Sequence, residues 1–312
     1  MIYVENNSTN PYFNFALEYY LINEKDLKDD VIFMFWRTNP TLMIGKFQNT
    51  IEEINEDYVK NNNINVVRRI TGGGTIYTDM NGWQFSFITK NYNGNGIDFK
   101  IFTTPIIEAL KSQGIDAYFN SRNDLLVDGK KFSGNAQCVK NGCKLHHGSI
   151  LFDTNIEEMV RSITVAEDKI ISKGIKSVKD RVANLKNYLK EDMDSLKFKD
   201  IMLESLLKES SGVYNLTKED IKRVEEIAKE KFETWEWNYG KSPKFEIVKG
   251  KRLDGGKVEF RINVDKGIIK ECKINGDFFG EGEIEDISNL LYGCRYNKKD
   301  ILEVIKKMRY LI

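Results

Sequence analysis

Hydrophobic residues change their spacing several times along the 312-residue chain. In "NPYFNFALEYYLINEK" (10–25) they recur at helical spacing, with Asn10 as the predicted N-cap and Pro11 at the first helical position. The next apolar segment, "VIFMFWRTNPTLMIGKFQN" (31–49), predicts two strands on either side of a turn at 38–40. The chain is therefore expected to open with a packed helix followed by strands.

Further strands are predicted on both sides of a glycine-rich loop, in "INVVRRITGGGTIYTD" and "GWQFSFITK". A helix is predicted from Pro105 to Gln113, ending at Gly114. The segment "NDLLVDGKKFSGNAQ" predicts a β-hairpin, with Asp128 and Gly129 as its two-residue turn.

From about residue 155 to residue 231 the pattern becomes helical and highly charged, which is typical of solvated helix faces. It then returns to strands ("KVEFRINVDKGIIKECKI") and one last helix ("NKKDILEVIKKMRYLI"). We therefore expect an α+β protein, with a mixed-sheet domain over residues 1–242 and a small αβ accessory domain over residues 247–312.

The composition narrows the classes of function. A hydrophobic content of 41% indicates a packed protein, and 47 basic residues balance 47 acidic ones, so no global field favours nucleic acid or anionic membranes. The opening "MIYVENNSTN" lacks a signal-peptide pattern, and no apolar run approaches the roughly 18 residues of a membrane span. Four irregularly spaced cysteines do not suggest a disulfide framework. We expect a soluble, reduced, cytoplasmic protein.

The loop "RRITGGGTIYTD" (68–79) is the main candidate for ligand binding. Three consecutive glycines lose much conformational entropy on folding, which lowers the stability of the protein. Glycines are therefore expected where the backbone bends sharply or lies close to a ligand. The two common nucleotide motifs fail, because Thr75 replaces the lysine of a phosphate loop and Tyr77 replaces a glycine of the dinucleotide pattern. A strand-connecting bend is one interpretation of the triplet. The preceding Arg68 and Arg69 favour the other, a site for a phosphate or carboxylate.

The predicted hairpin supplies a second candidate, Lys131. Strand alternation around its turn pairs Leu125 with Phe132 and Asp124 with Ser133, and it places Lys131 on the same face as Asp124. Lys131 is thus the candidate for a working lysine. The alternative is a surface lysine with a weak cross-strand ion pair.

The two histidines of the chain, His146 and His147, lie in "CVKNGCKLHHGSILF" together with Cys138 and Cys143. Their spacing does not match a structural zinc site, and adjacent histidines on a strand point to opposite faces. We expect one histidine to face a pocket and the other to face the packed interior. A cysteine–histidine nucleophile remains a rival interpretation.

Read in chain order, these segments resemble the lipoate–protein ligase family. "NPYFNFALEYYL" is similar to its opening helix, "RRITGGGTIYTD" to its arginine–glycine signature and "RNDLLVDGKKFSGNAQ" with "HHGSILF" to its lysine hairpin. "SKGIKSVKDRVANL" resembles its nucleotide-side loop and "WEWNYGKSPKF" the junction to its accessory domain. The resemblance implies a biotin/lipoate-ligase-like fold and a two-step reaction. Lipoate and ATP would form lipoyl-adenylate, and the lipoyl group would then move to a lysine of an acceptor domain.

The same resemblance implies roles for individual residues. ATP and the adenylate would contact Arg69, Gly74, Thr75, Ile76, Tyr77 and Lys131. Lipoate would contact Gly72, Gly73, Gly74, Lys131 and His147. Lys131 would be the catalytic residue, bridging the lipoyl carbonyl and the α-phosphate. Asn123 and Asp124 would support that lysine or a magnesium ion, and the loop 165–184 would close over the adenylate. Thr78 stands where the family often has a histidine, so we assign it no catalytic role.

ATP and magnesium are thus expected as co-substrates and lipoate as the substrate, with no tightly bound cofactor and no structural metal. The expected acceptors are the lipoyl domains of 2-oxoacid dehydrogenase acyltransferase subunits, the glycine-cleavage H protein, or both. Nucleic acid and membranes are not expected as partners, and the protein is expected to be a monomer.

Three rivals remain. An octanoyltransferase would use a cysteine without ATP, but "FNSRNDLL", which leads into the hairpin, has none. A non-enzymatic lipoyl-protein scaffold predicts the loss of Lys131 or of the arginine–glycine loop, and both are present. A biotin ligase fits the order of the motifs poorly.

Overall fold

The computed structural model describes residues 1–27, 31–92, 94, 96–120, 122–163, 175–240, 247–265, 268–279, 283–296 and 298–308. Within them the strands are β1 (Ile2–Glu5), β2 (Val31–Trp36), β3 (Thr41–Ile44), β4 (Asn65–Arg68), β5 (Ile76–Thr78), β6 (Gly82–Thr89), β7 (Tyr118–Phe119), β8 (Asp124–Val127), β9 (Lys130–Lys140), β10 (Cys143–Leu151), β11 (Gly212–Asn215), β12 (Ile247–Leu253), β13 (Gly256–Asp265) and β14 (Ile268–Gly276). The helices are α1 (Pro11–Asn23), α2 (Thr50–Glu53), α3 (Glu56–Asn61), α4 (Lys100–Ser112), α5 (Ile156–Ile163), α6 (Ser195–Leu206), α7 (Lys218–Ile227), α8 (Trp235–Asn238), α9 (Ile284–Leu290) and α10 (Lys298–Met308).

The large sheet is mixed, as predicted, and the α+β class is confirmed. Its order is β11-β1-β2-β6-β10-β9-β8-β7, in which β1 is parallel to both neighbours and the other pairs are antiparallel. A smaller sheet has the order β4-β3-β5. The two strands predicted around the turn at 38–40 are present, but β2 lies in the large sheet and β3 in the small one. The glycine loop connects β4 to β5.

The large sheet is buried on both faces, which explains the unbroken apolar run of β2. Ile32 and Met34 pack into the cluster that contains α1, whereas Phe33 and Phe35 pack into the cluster on the opposite face. Side chains of a strand alternate between its two faces, so a strand covered on both sides needs apolar residues at every position.

Helix α1 begins as the sequence predicts. The Asn10 side chain accepts hydrogen bonds from the backbone N–H groups of Tyr12 and Phe13, at 2.9 and 3.4 Å, and Pro11 occupies the first position. Two polar residues one turn apart on this helix, Asn14 and Glu18, are wholly buried. Helix α1 therefore brings polar groups into the interior beside the large sheet.

The predicted start of the next long helix is wrong, because α4 begins at Lys100 and not at Pro105. The Asp98 carboxylate accepts hydrogen bonds from the backbone N–H groups of Lys100 and Ile101, which provides a cap ahead of the proline. Its C-terminal end is close to the prediction, since Gly114 follows with a φ of +80°.

The C-terminal part forms its own sheet, β12-β13-β14, covered by α9 and α10. Strands β13 and β14 and the last helix match the predicted pattern, whereas β12 and α9 were not predicted. A separate apolar cluster holds this part together through Ile262, Ile269, Cys272, Ile274 and Leu291. None of the helices that the structure describes combines the length and the apolar character needed to cross a lipid bilayer.

Candidate active site

A cavity of about 110 Å³ lies between the glycine loop, α1 and the strands β9 and β10. It is lined by Phe15, Trp36, Met43, Arg69, Gly73, Gly74, Thr75, Ile76, Gln84, Asn123, Lys131, Gly134, Asn135, Ala136, His147, Gly148, Ser149 and Phe279. The glycine loop, the hairpin lysine and one histidine, which were separate candidates in the sequence, thus share one pocket.

The three positions of the loop have glycine for different structural reasons. A Cβ atom on Gly72 would overlap the carbonyl oxygen of Phe278. Gly73 has a φ of +93°, which a side chain disfavours, and its N–H donates to the Phe278 oxygen at 3.2 Å. At Gly74, by contrast, the nearest described atom to an added Cβ is the Cβ of Asp277 at 3.8 Å. Protein packing explains the first two glycines, whereas Gly74 leaves its backbone open at the pocket wall.

Arg68 is a structural residue. It is wholly buried, and its guanidinium donates to the carbonyl oxygens of Gly45, Lys46 and Gln48 and to the Thr50 hydroxyl, at 2.6 to 3.1 Å. Burial lowers the pKa of Arg68 to about 10, still well above neutral pH. Its guanidinium therefore fixes the loop after β3 and is not free to bind a ligand.

Arg69 faces the pocket and braces the glycine loop from within. Its Nη2 donates to the carbonyl oxygens of Gly72 at 2.9 Å and Gly74 at 2.6 Å, and its Nη1 donates to Met43 O at 2.7 Å. Burial, with a smaller contribution from the neighbouring Arg68 charge, lowers the pKa of Arg69 to about 10. A permanent positive charge therefore lies behind the open backbone of Gly74.

Lys131 and Asp124 meet as predicted, with Lys131 Nζ 2.7 Å from Asp124 Oδ1. The predicted register beyond them is wrong: Leu125 pairs with Ser133 and Asp124 with Gly134. Phe132 is an extra, unpaired residue that inserts its ring into the core, so a β-bulge shifts the pairing by one residue. The ion pair survives because Lys131 keeps its predicted partner Leu126, and Asp124, two residues earlier on β8, lies on the same face as Leu126.

The backbone of Lys131 is also held by the C-terminal part of the predicted nucleotide-side loop. Its N–H donates to Arg181 O at 2.9 Å, and its carbonyl accepts from Ala183 N–H at 2.9 Å. Of the loop 165–184, residues 165–174 lie outside the described residues. The described part fixes the position from which the Lys131 side chain reaches the pocket.

The two histidines point to opposite sides of β10, as expected. His147 lines the pocket, and its Nε2 lies 2.7 Å from Thr71 Oγ1. His146 stacks between Phe85 and Phe102, and burial lowers its pKa well below 6.5. Among the residues that the structure describes, no three histidine, cysteine, aspartate or glutamate side chains converge on a possible metal site.

The cysteines near the histidines are poor nucleophiles. Cys138 lies on β9 in a second cavity behind Gly72, and burial raises the pKa of its thiol to about 12. Cys143 is buried, with its thiol 3.6 Å from Ile22 O. A thiolate would be scarce at Cys138 at neutral pH.

Asn123 lies beside Lys131 and is held by reciprocal hydrogen bonds with Asn135. Asn123 Nδ2 donates to Asn135 O at 2.9 Å, and Asn135 Nδ2 donates to Asn123 O at 3.0 Å. The Oδ1 of Asn135 is buried without a hydrogen-bond partner among the described residues. Together with the Asp124 carboxylate, these amides offer the oxygen ligands that magnesium prefers.

Tyr77, a predicted nucleotide contact, does not line the cavity, and neither does Thr78, to which no catalytic role was assigned. The Tyr77 ring packs with Leu42 and Val66 outside the cavity, and its hydroxyl bonds to Glu158, so only its backbone can reach a ligand there. Thr78 accepts a hydrogen bond from Gln84 at 2.7 Å, which agrees with a structural role.

Several pocket residues were not candidates in the sequence. These are Phe15, Trp36, Met43, Gln84, Gly134, Asn135, Ala136, Gly148, Ser149 and Phe279. Phe15, Trp36 and Met43 lie on apolar segments that were predicted only as a packed helix and strands, and a polar residue such as Gln84 within a predicted strand is a usable signal. Phe279 gives no such signal, because it comes from the accessory domain and its ring lies beside Gly73 and Phe99.

Comparison with known proteins agrees with this arrangement. The family model of the lipoyl protein ligase A/B catalytic domain matches residues 10–207, and that of the bacterial lipoate protein ligase C-terminus matches residues 242–311. The lipoate–protein ligase LplJ of Bacillus subtilis is 41% identical, over 98% of this chain and 94% of the relative.

Two solved structures share the architecture. LipL1 of P. falciparum, in complex with lipoate, aligns with a TM-score of 0.80 and 25% identity over 98% of this chain and 94% of that chain. A bipartite archaeal lipoate protein ligase from Thermoplasma acidophilum, studied with its E2 lipoyl domain, aligns with a TM-score of 0.68 and 25% identity, over 79% of this chain and 98% of that chain. The chain therefore belongs to the lipoate–protein ligase family of enzymes.

Proposed function

We propose that the protein activates lipoate with ATP and then transfers the lipoyl group to a lysine of an acceptor domain. The observation that carries this proposal is the shared cavity. It brings the Lys131 ammonium, held by Asp124, to the same pocket as the open backbone of Gly74. A cation and a bare backbone segment suit a carboxylate that must approach a phosphate.

In the first step an oxygen of the lipoate carboxylate attacks the α-phosphorus of ATP, and the bond to pyrophosphate breaks. Negative charge builds up where two anions meet, so a fixed cation stabilises the transition state more than the separate substrates. Lys131 supplies that cation, and its pairing with Asp124 at 2.7 Å holds it in place before the substrates bind.

The nucleotide lies along the loop from Arg69 to Ile76 in this proposal. Gly74, Thr75 and Ile76 all line the cavity, and Thr75 Oγ1 is fixed by Gln48 Oε1 at 3.0 Å. Magnesium would arrive with ATP and screen the phosphate charge, with the oxygens of Asn123 and Asp124 as its protein ligands.

The opposite wall suits the acyl chain and dithiolane ring of lipoate. Phe15, Trp36, Met43 and Ile76 provide apolar and aromatic surface, and the aligned P. falciparum structure contains lipoate. Such a wall also keeps water from the mixed anhydride, which would otherwise hydrolyse.

In the second step the acceptor lysine attacks the lipoyl carbonyl as a free amine. The bond to the phosphate oxygen breaks, AMP leaves, and the nitrogen loses one proton to solvent. Lipoyl domains of 2-oxoacid dehydrogenases are the proposed acceptors, supported by the archaeal ligase and its E2 lipoyl domain. The glycine-cleavage H protein is proposed as a second acceptor. Mass spectrometry of each acceptor after incubation with lipoate and ATP tests both.

We further propose that residues 1–242 form the catalytic domain and that residues 247–312 move away from it between the two steps. Phe279 lines the pocket, Phe278 stacks on Phe47 at 4.8 Å, and Lys46 pairs with Glu283 at 2.9 Å. These contacts cover the loop that an acceptor must approach. Gly240 would belong to the hinge, whose remaining residues lie outside the described ranges.

A cross-link tests this movement. The double variant Lys46→Cys and Glu283→Cys, bridged by a reducible bis-methanethiosulfonate cross-linker, should still form lipoyl-adenylate but fail to lipoylate an acceptor, and reduction should restore transfer. A linker is used because an ion pair between two long side chains does not bring their Cβ atoms to the ~4 Å of a direct disulfide. Full transfer by the verified cross-linked form would refute the movement. Small-angle scattering with and without lipoyl-adenylate gives an independent measurement.

The protein is proposed to work as a monomer in the cytoplasm. All four cysteines are unpaired, which suits a reducing compartment. Size-exclusion chromatography with light scattering tests the monomer, and cell fractionation tests the location.

The first experiment is lipoate-dependent exchange of pyrophosphate into ATP without acceptor. Lys131→Ala should lose about 10²–10³ of the exchange rate, by analogy with the removal of one oxyanion-hole contact. Lys130→Ala, at the adjacent position of the same strand, is the matched control and should retain exchange. No lipoate-dependent exchange by the native protein would refute acid activation.

The cysteine-dependent transferase remains the alternative. It requires acyl transfer without ATP that is blocked by thiol alkylation. The raised pKa of Cys138 disfavours it, and Cys138→Ala is expected to keep full ligase activity.

A further inference from the structure

A buried carboxylate outside the pocket lining, Glu18, anchors a chain of side-chain hydrogen bonds. Ser86 Oγ donates to Glu18 Oε1 at 2.6 Å, and Trp36 Nε1 donates to Ser86 Oγ at 2.9 Å. His147 Nδ1 lies 3.1 and 3.2 Å from the two oxygens of Glu18. Glu18 is wholly buried, so it does not contact bulk water.

The chain continues from the histidine to the glycine loop. His147 Nε2 lies 2.7 Å from Thr71 Oγ1, and Arg69 Nε donates to the same Thr71 oxygen at 3.2 Å. Arg69 in turn holds the carbonyl oxygens of Gly72 and Gly74. A continuous path of hydrogen bonds therefore links Glu18 to the loop that forms the pocket wall.

Both ends of this path can only donate. The indole N–H of Trp36 and the guanidinium of Arg69 have no acceptor, so the hydroxyls of Ser86 and Thr71 accept from them. Among the described contacts, the acceptor for the Ser86 hydroxyl hydrogen is Glu18 Oε1, and the acceptor for the Thr71 hydroxyl hydrogen is His147 Nε2. Ser86 then donates to Glu18, and Thr71 donates to His147 Nε2. All bonds are satisfied when His147 carries its proton on Nδ1 and Glu18 is an acceptor only.

We propose that Glu18 is a positioning residue for the ligase reaction, which fixes His147 as the Nδ1–H tautomer so that its Nε2 anchors Thr71 and, through Arg69, the glycine loop. Glu18 touches neither lipoate nor nucleotide in this role. It acts by accepting the hydrogen bonds of Ser86 and His147, which determines the donor and acceptor in each hydrogen bond from α1 to the glycine loop.

The variant Glu18→Gln tests the direction of the chain because it keeps the size of the side chain. The Ser86 hydroxyl, which donates at the Oε1 position, selects the amide oxygen there, so the amide nitrogen takes the Oε2 position, 3.2 Å from His147 Nδ1, and opposes the Nδ1–H. The amide oxygen, 3.1 Å from Nδ1, is neutral and already accepts from Ser86, so it is a weaker acceptor than the carboxylate. The ring is then expected to move its proton to Nε2, which turns the acceptor toward Thr71 into a donor. Thr71 loses the partner to which its hydroxyl donates.

The tautomer is measured directly by ¹⁵N NMR of the imidazole, which distinguishes Nδ1–H, Nε2–H and imidazolium forms. The chain has two histidines, so His146→Gln leaves His147 as the single imidazole signal. We expect the Nδ1–H form in that background and the Nε2–H form after Glu18→Gln is added. An unchanged tautomer, or an imidazolium in both, would overturn the proposal whatever the protein catalyses.

The kinetic arm rests on the proposed function. Glu18→Gln should lower kcat/KM for lipoate by about tenfold, the value of one charge-assisted hydrogen bond. In a double-mutant cycle with the isosteric Thr71→Val, the second substitution should cost little, because both act through the same path. Additive losses would overturn the role of Thr71 in transmitting the effect. This outcome can be told apart from a failure of the proposed function, because in that case the native protein itself would show no lipoate-dependent pyrophosphate exchange.

The matched control is Asp220→Asn, another buried carboxylate changed to an amide. Asp220 bonds to Tyr20 at 2.6 Å and Lys25 at 2.8 Å, on helix contacts outside the pocket. It should lower stability without changing the His147 tautomer or kcat/KM. A merely structural role for Glu18 predicts the same behaviour from Glu18→Gln, and that result would refute a positioning role.

Discussion

The substitution Gly74→Ala separates a ligand contact from a packing requirement. The methyl group would meet Asp277 Cβ at 3.8 Å, an ordinary van der Waals distance, and Gly74 does not have the left-handed backbone of Gly73. Replacing glycine by alanine at a compatible position narrows the unfolded ensemble and raises the free energy of unfolding by about 0.4–1 kcal/mol. The variant is therefore expected to fold at least as well as the native protein.

Its activity should nevertheless fall. If the adenylate lies against the open backbone of Gly74, the methyl group displaces it by about one carbon radius. A misplacement of roughly 1 Å can cost about 10² in rate. We therefore expect kcat/KM for ATP to fall about 10²-fold, whereas the free energy of unfolding stays level or rises.

Pyrophosphate exchange at varied ATP and urea unfolding measure the two quantities. The matched control is Gly255→Ala in the accessory domain, where no described atom lies within 4 Å of the added Cβ and the backbone is also not left-handed. It should raise the free energy of unfolding by a similar amount, about 0.4–1 kcal/mol, and leave kcat/KM for ATP unchanged. A Gly74→Ala protein with native kcat/KM for ATP would show that the nucleotide does not approach this backbone, and a loss of stability would show that packing requires the glycine.

Three further predictions concern stability. Gly73→Ala should lower the free energy of unfolding by about 1–2 kcal/mol, because φ is +93° there, and an unchanged urea midpoint would contradict this. Arg68→Lys should lower it by more than about 3 kcal/mol, since several buried carbonyls lose their donors; a loss below about 1 kcal/mol in urea would refute the structural role. For Asp220, burial alone would raise the pKa, but hydrogen bonds from Lys25 and Tyr20 lower it well below 3.8. Its stabilisation is therefore fully present above about pH 4 and declines progressively as the pH falls below that towards the folded-state pKa, so the stability difference between native protein and Asp220→Asn should begin to shrink as urea unfolding is repeated from pH 7 to pH 3, and a constant difference would contradict the reasoning.

The sequence predicted best where a local rule fixes the geometry. The Asp128-Gly129 turn determines which residues pair beside it, so the contact between Lys131 and Asp124 followed from alternation alone. The predicted pairing failed at Phe132, because its ring is buried in the core and the residue forms a β-bulge, which no local sequence pattern predicts. The prediction held for the residues nearest the turn and failed one pair later.

The arginine pair shows what alternation leaves open. Adjacent residues of a strand end must face different ways, but the sequence does not say which of Arg68 and Arg69 faces the ligand. The answer depends on the carbonyl groups of residues 45–48, which surround Arg68 once β3 and β4 pair. Long-range pairing, not local preference, divides the two roles.

The glycine loop is held from both sides, and that has a consequence for the order of the reaction. Arg69 fixes its carbonyls from within the catalytic domain, while Phe278 of the accessory domain accepts the Gly73 N–H from outside. In the proposed reaction, adenylation would benefit from both, because a rigid loop and an excluded solvent protect the mixed anhydride. The proposed transfer step would need the outer support removed, since Phe279 lines the pocket that the acceptor lysine must reach. The inner support would then hold the loop alone, so the path from Glu18 through His147 to Arg69 is expected to matter most in that step.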